Sequence, residues 1–262
     1  MNILFWNLKG NNNQQYIISI IRTYSIDIAV FCEYNGLIRD EVLSAVEGYS
    51  FSDGMDGCEK ILFLFRDALN PIVRREANRY AMYSFTQNNT NYLIVGLHLP
   101  ANPTSNVDDR KNIIRDLMPD LRELENENNC WNTIVIGDFN ACPFDSELTQ
   151  KDMFNAVPFK DIINNFETIT YQDKRYRRFY NPMVHFISED TKHYGSVYHT
   201  GGSNTITWYC YDQIIVRKPL VDRIREINYL KKIGDFNLVS PNGIPKGSVS
   251  DHLPLLVEVD EL

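Results

Sequence analysis

Residues 133–140 read TIVIGDFN. Thr133, Ile134, Val135 and Ile136 are all β-branched, which suits a buried strand covered on both faces. The run breaks at Gly137 and presents Asp138 and Asn140. Positions two apart on a strand share a face, so this carboxylate and this amide are expected to project together. An Asp–Asn pair at a strand end can serve a metal-bound water and an anionic oxygen. A polar turn that merely closes a strand accounts for Gly-Asp-Phe-Asn as well, and turn composition favours that reading for the stretch alone.

Working outward, the same pattern recurs. Upstream, residues 106–127 are charged and amphipathic, a long helix that Pro119 is expected to kink or split. Residues 92–97 form a strand ending in His98, a satisfied core histidine or a donor to a phosphate oxygen. Residues 60–65 and 80–85 read as further strands with polar turns. Residues 26–32, IDIAVFC, make a buried strand ending in Glu33, where an unpaired carboxylate is costly unless solvated or met by positive charge. The opening strand ends at Asn7, and residues 16–24 and 37–46 carry helical periodicity.

Downstream come helical pieces at 146–151 and 159–165, then KRYRRFY at 174–180. As a strand it would place Arg175, Arg177 and Phe179 on one side and Tyr176, Arg178 and Tyr180 on the other. It is either a solvated edge strand or a cradle for phosphates and stacked bases. We expect Arg175 and Arg177 to border the cleft near Asp138. Residues 185–204 read as an exposed loop or lid. Residues 205–216 return to strand character with Asp212 interrupting it, and Ser250-Asp251-His252 precedes a closing strand, LPLLVEV.

The bulk properties narrow the function classes. With 262 residues the chain has ample material for a core, and 44% hydrophobic and 23% charged residues are ordinary globular values. A net charge of −8 argues against a passive, charge-driven nucleic-acid binder, though not against an enzyme whose metal handles phosphate. The five cysteines (32, 58, 130, 142 and 210) are widely spaced without a CxxC pair, as expected of reduced thiols. No basic segment followed by an apolar one leads the chain, so no secretory signal is expected, and no apolar run is long enough to cross a bilayer. The expectations are a cytoplasmic location, no membrane partner and no obligate protein partner. Helices between strands exclude a pure β-sandwich, and strand pairs with short turns do not suit a strictly parallel sheet. No linker or repeat divides the chain, which we read as one domain, 1–262.

The polar strand-end residues, in order, are Asn7, Glu33, His98, Asp138 with Asn140, Asp212, and Asp251-His252. Carried by the motifs FWNLKG, FCEYNG, GLHLP, GDFN, YDQIIV and SDHLPLL, this set resembles the endonuclease/exonuclease/phosphatase superfamily of metal-dependent phosphoesterases. The resemblance spans residues 5–256. It implies an α/β four-layer sandwich, two mainly antiparallel sheets packed face to face with helices outside and the active site at one end. It implies Glu33 as the main Mg²⁺ ligand, Mn²⁺ being a substitute, with Asn7 and Asp251 near the metal. Asp138 would orient or deprotonate the attacking water, helped by Asn140. His252, held by Asp212, would stabilise the pentacovalent phosphorus, and His98 would bind a phosphate oxygen.

Departures from the pattern point away from repair-type endonuclease action. Lys9 stands where some apurinic-site endonucleases carry an acid, and GLHLP has histidine where they have tyrosine. Asn102, the candidate substrate-binding amide, comes one residue late, and Cys210 stands where an arginine often precedes the YDQ aspartate. The leading expectation is a Mg²⁺-dependent nuclease or phosphodiesterase acting on nucleic acid. The alternatives are a phosphatase for a small phosphate ester such as an inositol phosphate or nucleotide, and a catalytically silent binding module.

Overall fold

β-Branched and aromatic runs separated by amphipathic segments give the chain alternating strands and helices. The computed structural model describes residues 1–52, 54, 57–101, 106–188, 192–201 and 205–262. The first unit is β1 (Asn2–Asn7), α1 (Gln14–Tyr24) and β2 (Ile28–Cys32), a crossover that sets β1 parallel to β2. Helix α2 (Arg39–Ala45) leads to the antiparallel β3 (Tyr49–Ser52) and β4 (Ile61–Arg66). A meander of β5 (Ile72–Ala77), β6 (Tyr80–Gln87) and β7 (Thr90–His98) follows. Helix α3 (Val107–Glu127) then carries the chain to β8 (Thr133–Asp138), parallel to β7.

Shorter pieces come next: α4 (Ser146–Thr149), β9 (Ala156–Val157), α5 (Lys160–Asn165), the hairpin β10 (Thr168–Tyr171) and β11 (Lys174–Arg177), β12 (Phe179–Tyr180) and α6 (Met183–Phe186). The two-residue β13 (Val197–Tyr198) and β14 (Trp208–Tyr209) pair before β15 (Asp212–Val216). The series closes with β16 (Ile224–Tyr229), the small pair β17 (Lys232–Ile233) and β18 (Phe236–Asn237), and β19 (Leu255–Val259).

The two large sheets have the orders β16-β19-β1-β2-β4-β3 and β5-β6-β7-β8-β15-β12-β9. Most neighbours are antiparallel, with one parallel pair, β1–β2, in the first sheet and two, β7–β8 and β9–β12, in the second. This is the α/β sandwich expected. The β8 strand shows why its sequence is apolar throughout. Ile134 and Ile136 lie in the core between the sheets with Phe5, Phe31 and Phe63, while Val135 packs on the other face with Ile114, Leu117 and Leu121 of α3. Each such side chain contributes roughly 1.5–3 kcal/mol by leaving water. Gly137 is required by close approach: a Cβ there would lie 2.1 Å from the Leu97 carbonyl oxygen.

Several local expectations change. Pro119 neither splits nor ends α3, which runs unbroken from Val107 to Glu127. Pro119 lies on the exposed side, while Ile114, Leu117, Met118, Leu121 and Leu124 bury the opposite stripe. That buried stripe outweighs the hydrogen bond a proline cannot make. The basic segment is not one strand: it breaks at Arg178 into β11, paired only with β10, and β12, buried in the large sheet. Asp212 opens β15 rather than interrupting it. All five cysteines are free. Among the described residues no helix is long and apolar enough to cross a membrane.

Candidate active site

Strand register assembles the site. His98 of β7 lies opposite Asp138 of β8, and Asp138 lies opposite Asp212 of β15, so three titratable residues stand in one row. In the facing sheet Asn7 ends β1 beside Cys32, the last residue of β2, and Glu33 follows at once. Lys9, Glu33 and Asn140 adopt φ of 54°, 48° and 45°, the left-handed region that side chains disfavour. Such positions cost about 1–3 kcal/mol each and cluster at functional sites. Here they turn the chain sharply where the carboxylates must be presented.

One amide ties the two sheets together. Asn7 Nδ2 donates to Glu33 Oε1 at 3.0 Å and to Asp138 Oδ2 at 3.2 Å, while Asn7 Oδ1 accepts from the Lys9 backbone N–H at 3.0 Å. His98 Nε2 lies 3.7 Å from Glu33 Oε1 and 3.8 Å from Asp138 Oδ2. On the other flank His252 Nδ1 meets Asp212 Oδ2 at 2.8 Å, and its Nε2 stands 4.0 Å from Asp138 Oδ2. The support is extensive. Ser250 Oγ donates to the Asn7 carbonyl and accepts from the His252 backbone, and Trp6 Nε1 donates to the His252 carbonyl. Ser196 Oγ accepts from Asp212 N, and the Tyr229 hydroxyl donates to the Asp212 carbonyl.

The electrostatics separate the two histidines. Burial works against a charge on His252, but the charge and hydrogen bond of Asp212, with Asp138 and Asp251, outweigh it and push its pKa up to about 10. His252 is therefore imidazolium at neutral pH. Burial holds His98 below its usual range against the pull of Asp138, and Arg79 and Lys60 add to the depression. His98 is therefore neutral. Burial raises the Asp138 carboxyl, opposed by His252 and reinforced by Asp212.

Thus Asn7, Glu33, His98, Asp138, Asp212 and His252 converge as the sequence suggests. Other expectations do not hold in the form given. Asn140 does not share a strand face with Asp138, because β8 ends at Asp138 and Asn140 has turned left-handed. Its backbone N–H instead donates to Asp138 Oδ1, and its side chain donates to the Leu99 carbonyl. Asp251 sits at the rim, its carboxylate 3.0 Å from Lys9 Nζ. Asn102 lies outside the described residues.

Arg175 and Arg177 do not border this cleft. Arg177 pairs with Glu167, stacks 3.8 Å from Trp131, and gives its carbonyl to Arg217. Arg217 in turn donates its backbone N–H to Thr133, at the far end of β8. Arg175 lines the same groove as Arg177 and Trp131. Five residue steps along β8, roughly 17 Å, separate that end from Asp138. The expectation failed because the segment splits between two sheets.

The sequence reading missed Lys60 and Arg79. They line a cavity of about 380 Å³ together with Lys9, Glu33 and His98. Neither makes a side-chain hydrogen bond or ion pair with another described residue. They stand singly in turns, and only tertiary folding brings them to the site.

The donor set suits a hard divalent cation, which takes oxygen ligands and keeps several waters. Glu33 offers a half-exposed carboxylate and Asp138 a buried one, so close that one amide group serves both. The Asn7 oxygen is engaged by Lys9 N, so in this arrangement Asn7 positions carboxylates rather than offering an oxygen.

No protein-family model matches the chain, and no curated protein does. Solved structures match over its whole length. A D. rerio TDP2 humanized by 14 mutations is 13% identical at a TM-score of 0.60, covering 100% of this chain and 99% of that one. The human Nocturnin catalytic domain, solved with a bound sulfate anion, is 15% identical at 0.60, covering 98% and 92%. An endonuclease/exonuclease/phosphatase family protein from Bacteroides thetaiotaomicron is 13% identical at 0.61, covering 99% and 97%. At these identities the likeness is one of fold.

Proposed function

We propose that this chain, which carries the fold of the endonuclease/exonuclease/phosphatase superfamily, is a divalent-metal-dependent hydrolase of phosphodiester bonds. One observation carries the reading: Asn7 holds the Glu33 and Asp138 carboxylates together while the His252–Asp212 pair faces Asp138 from 4.0 Å. A hydrolytic site needs a cation ligand, a base and a fixed positive donor, and these residues supply the three.

Glu33 would hold the cation, with Asp138 beside it; Mg²⁺ or Mn²⁺ would neutralise charge on the phosphoryl oxygens. Asp138, whose raised pKa makes it a better proton acceptor, takes the proton from the attacking water. Its orientation is fixed by the Asn7 amide and the Asn140 backbone. His252 enters as an imidazolium and donates from Nε2 to an equatorial phosphoryl oxygen as negative charge grows. Asp212 keeps it charged and oriented. Neutral His98 offers a ring N–H to a second oxygen.

For the substrate, nucleic acid is the first reading. A D. rerio TDP2 of the same fold was solved complexed with a single-strand DNA product, at 13% identity and a TM-score of 0.56. A second reading, a small phosphate ester, is favoured by the displacement of Arg175 and Arg177 from the cleft. Lys60 and Arg79, with Lys9, are cations that line a cavity of about 380 Å³, the size of a short ligand.

The test is an assay on a simple phosphodiester and on oligonucleotides of increasing length. We expect no activity in EDTA, recovery with Mg²⁺ or Mn²⁺, and loss of metal response in Glu33→Ala with the fold intact. Full activity in chelator would overturn the mechanism. Rates that rise with oligonucleotide length support the nucleic-acid reading, and rates independent of length support the small ester.

A further inference from the structure

Cys32 is the group at this site that the reaction does not use. It ends β2 in register with Asn7 and is wholly buried. Its sulfur, one ring nitrogen of His98 and one carboxylate oxygen of Asp138 all lie within 4.8 Å of one another. The thiol makes no hydrogen bond with another described residue. His98 is 7% exposed, and its Nδ1 is buried without a hydrogen-bond partner. A buried polar atom left unpaired is costly and calls for an occupant or a role.

We propose that Cys32, His98 and Asp138 form a soft-cation site that takes Zn²⁺, and that its filling switches the phosphoesterase off. The donor set is the ground for separating it from the oxygen site at Glu33. Thiolate and neutral imidazole select Zn²⁺ or Cd²⁺, whereas Mg²⁺ seeks carboxylate and water oxygens. Zinc with one sulfur, one nitrogen and one oxygen at its usual bond lengths places those atoms roughly 3.3–3.8 Å apart. The observed spacing, within 4.8 Å, therefore closes by about an ångström of side-chain movement. The thiol gives up its proton as the metal–sulfur bond forms, so one proton is released per ion bound. Asp138 cannot then accept a proton from water, nor His98 hold a phosphoryl oxygen. The inhibition rests on the function proposed above; the binding does not.

Two readouts keep the two claims apart. Titration of the whole chain with Cd²⁺ under excess Mg²⁺ should give a thiolate-to-metal charge-transfer absorption saturating at one equivalent. The band should vanish in Cys32→Ser and Cys32→Ala, persist in Glu33→Ala, and persist in Cys58→Ser and Cys142→Ser. In activity assays Zn²⁺ should inhibit the wild type, and Cys32→Ser should need at least tenfold more Zn²⁺ to lose half of its own activity. Absence of the band, its survival in Cys32→Ala, or equal zinc sensitivity in Cys32→Ser would overturn the proposal. A Cd²⁺ band on a protein with no hydrolase activity would leave the site standing and sink the function instead.

Discussion

At the scale of single residues, His252 concentrates the electrostatics of the site. Its pKa stands near 10, whereas an unfolded histidine titrates near 6.5. The native state therefore binds more protons between those values, and stability must fall as pH rises through that window. The pair's contribution is complete below about pH 6.5 and lost as pH climbs toward the folded value. Urea unfolding in EDTA at pH 7, 8 and 9 should show this decline in the wild type and a flatter profile in His252→Ala. If the pair acts as a unit in the proposed reaction, His252→Ala and Asp212→Ala should each lower kcat by orders of magnitude, and the double variant should lose little more. Additive losses would mean that the two act separately. The sequence made these residues legible because each stands at a strand end beside a recognisable motif. It could not reveal Lys60 and Arg79, which carry no motif. Nor could it foresee that Asn140 leaves the strand, because two-residue alternation holds only while the backbone stays extended.

At the scale of elements, α3 and the basic segment show where local rules lose to tertiary packing. Pro119 sits exposed inside a continuous helix and removes one backbone hydrogen bond. Pro119→Ala should therefore stabilise the protein, by about 1–3 kcal/mol, without changing kcat. Thermal and urea unfolding would check it, and a loss of stability would show that α3 is built around the proline. The segment KRYRRFY looked like one amphipathic strand because alternation cannot say where a strand changes sheet. Phe179 and Tyr180 are core residues, while Arg177 lies over Trp131 and against Glu167. Arg177→Ala should accordingly lower stability by about 1 kcal/mol through the lost stacking and ion pair. It should leave KM for oligonucleotides and its salt dependence unchanged. A raised KM with a shallower salt slope would instead restore the segment to substrate binding.

At the scale of the whole molecule, the site lies on the seam between the two sheets. The six-stranded sheet brings Asn7 and Glu33, and the seven-stranded sheet brings His98, Asp138 and Asp212. A cation held there by Glu33, as proposed above, would stabilise the native fold by binding it and not the unfolded chain. At a metal concentration of 100 Kd the gain is about 2.7 kcal/mol. Differential scanning should show Tm rising with Mg²⁺ in the wild type and not in Glu33→Ala. The sandwich was readable because apolar strands alternate with amphipathic helices from one end to the other. Its pairing order was not, since register across distant strands leaves no trace in local periodicity.

That pairing order has a consequence for biosynthesis. β19 is the latest strand in the sequence yet an interior one, lying between β16 and β1, with Met1 and Val259 exchanging backbone hydrogen bonds at 2.8 Å. While the chain is still emerging from the ribosome, β1 must wait with an open edge, and a nascent chain shorter than about residue 255 exposes apolar strand faces to solvent. Long-range closure of this kind is slow and aggregation-exposed. It also means that His252, carried in on the approach to that final strand, reaches Asp212 only when the sheet closes. On the function proposed above, a chain stopped before β19 would lack the docked His252–Asp212 pair and would be silent toward phosphodiesters until that strand takes its place.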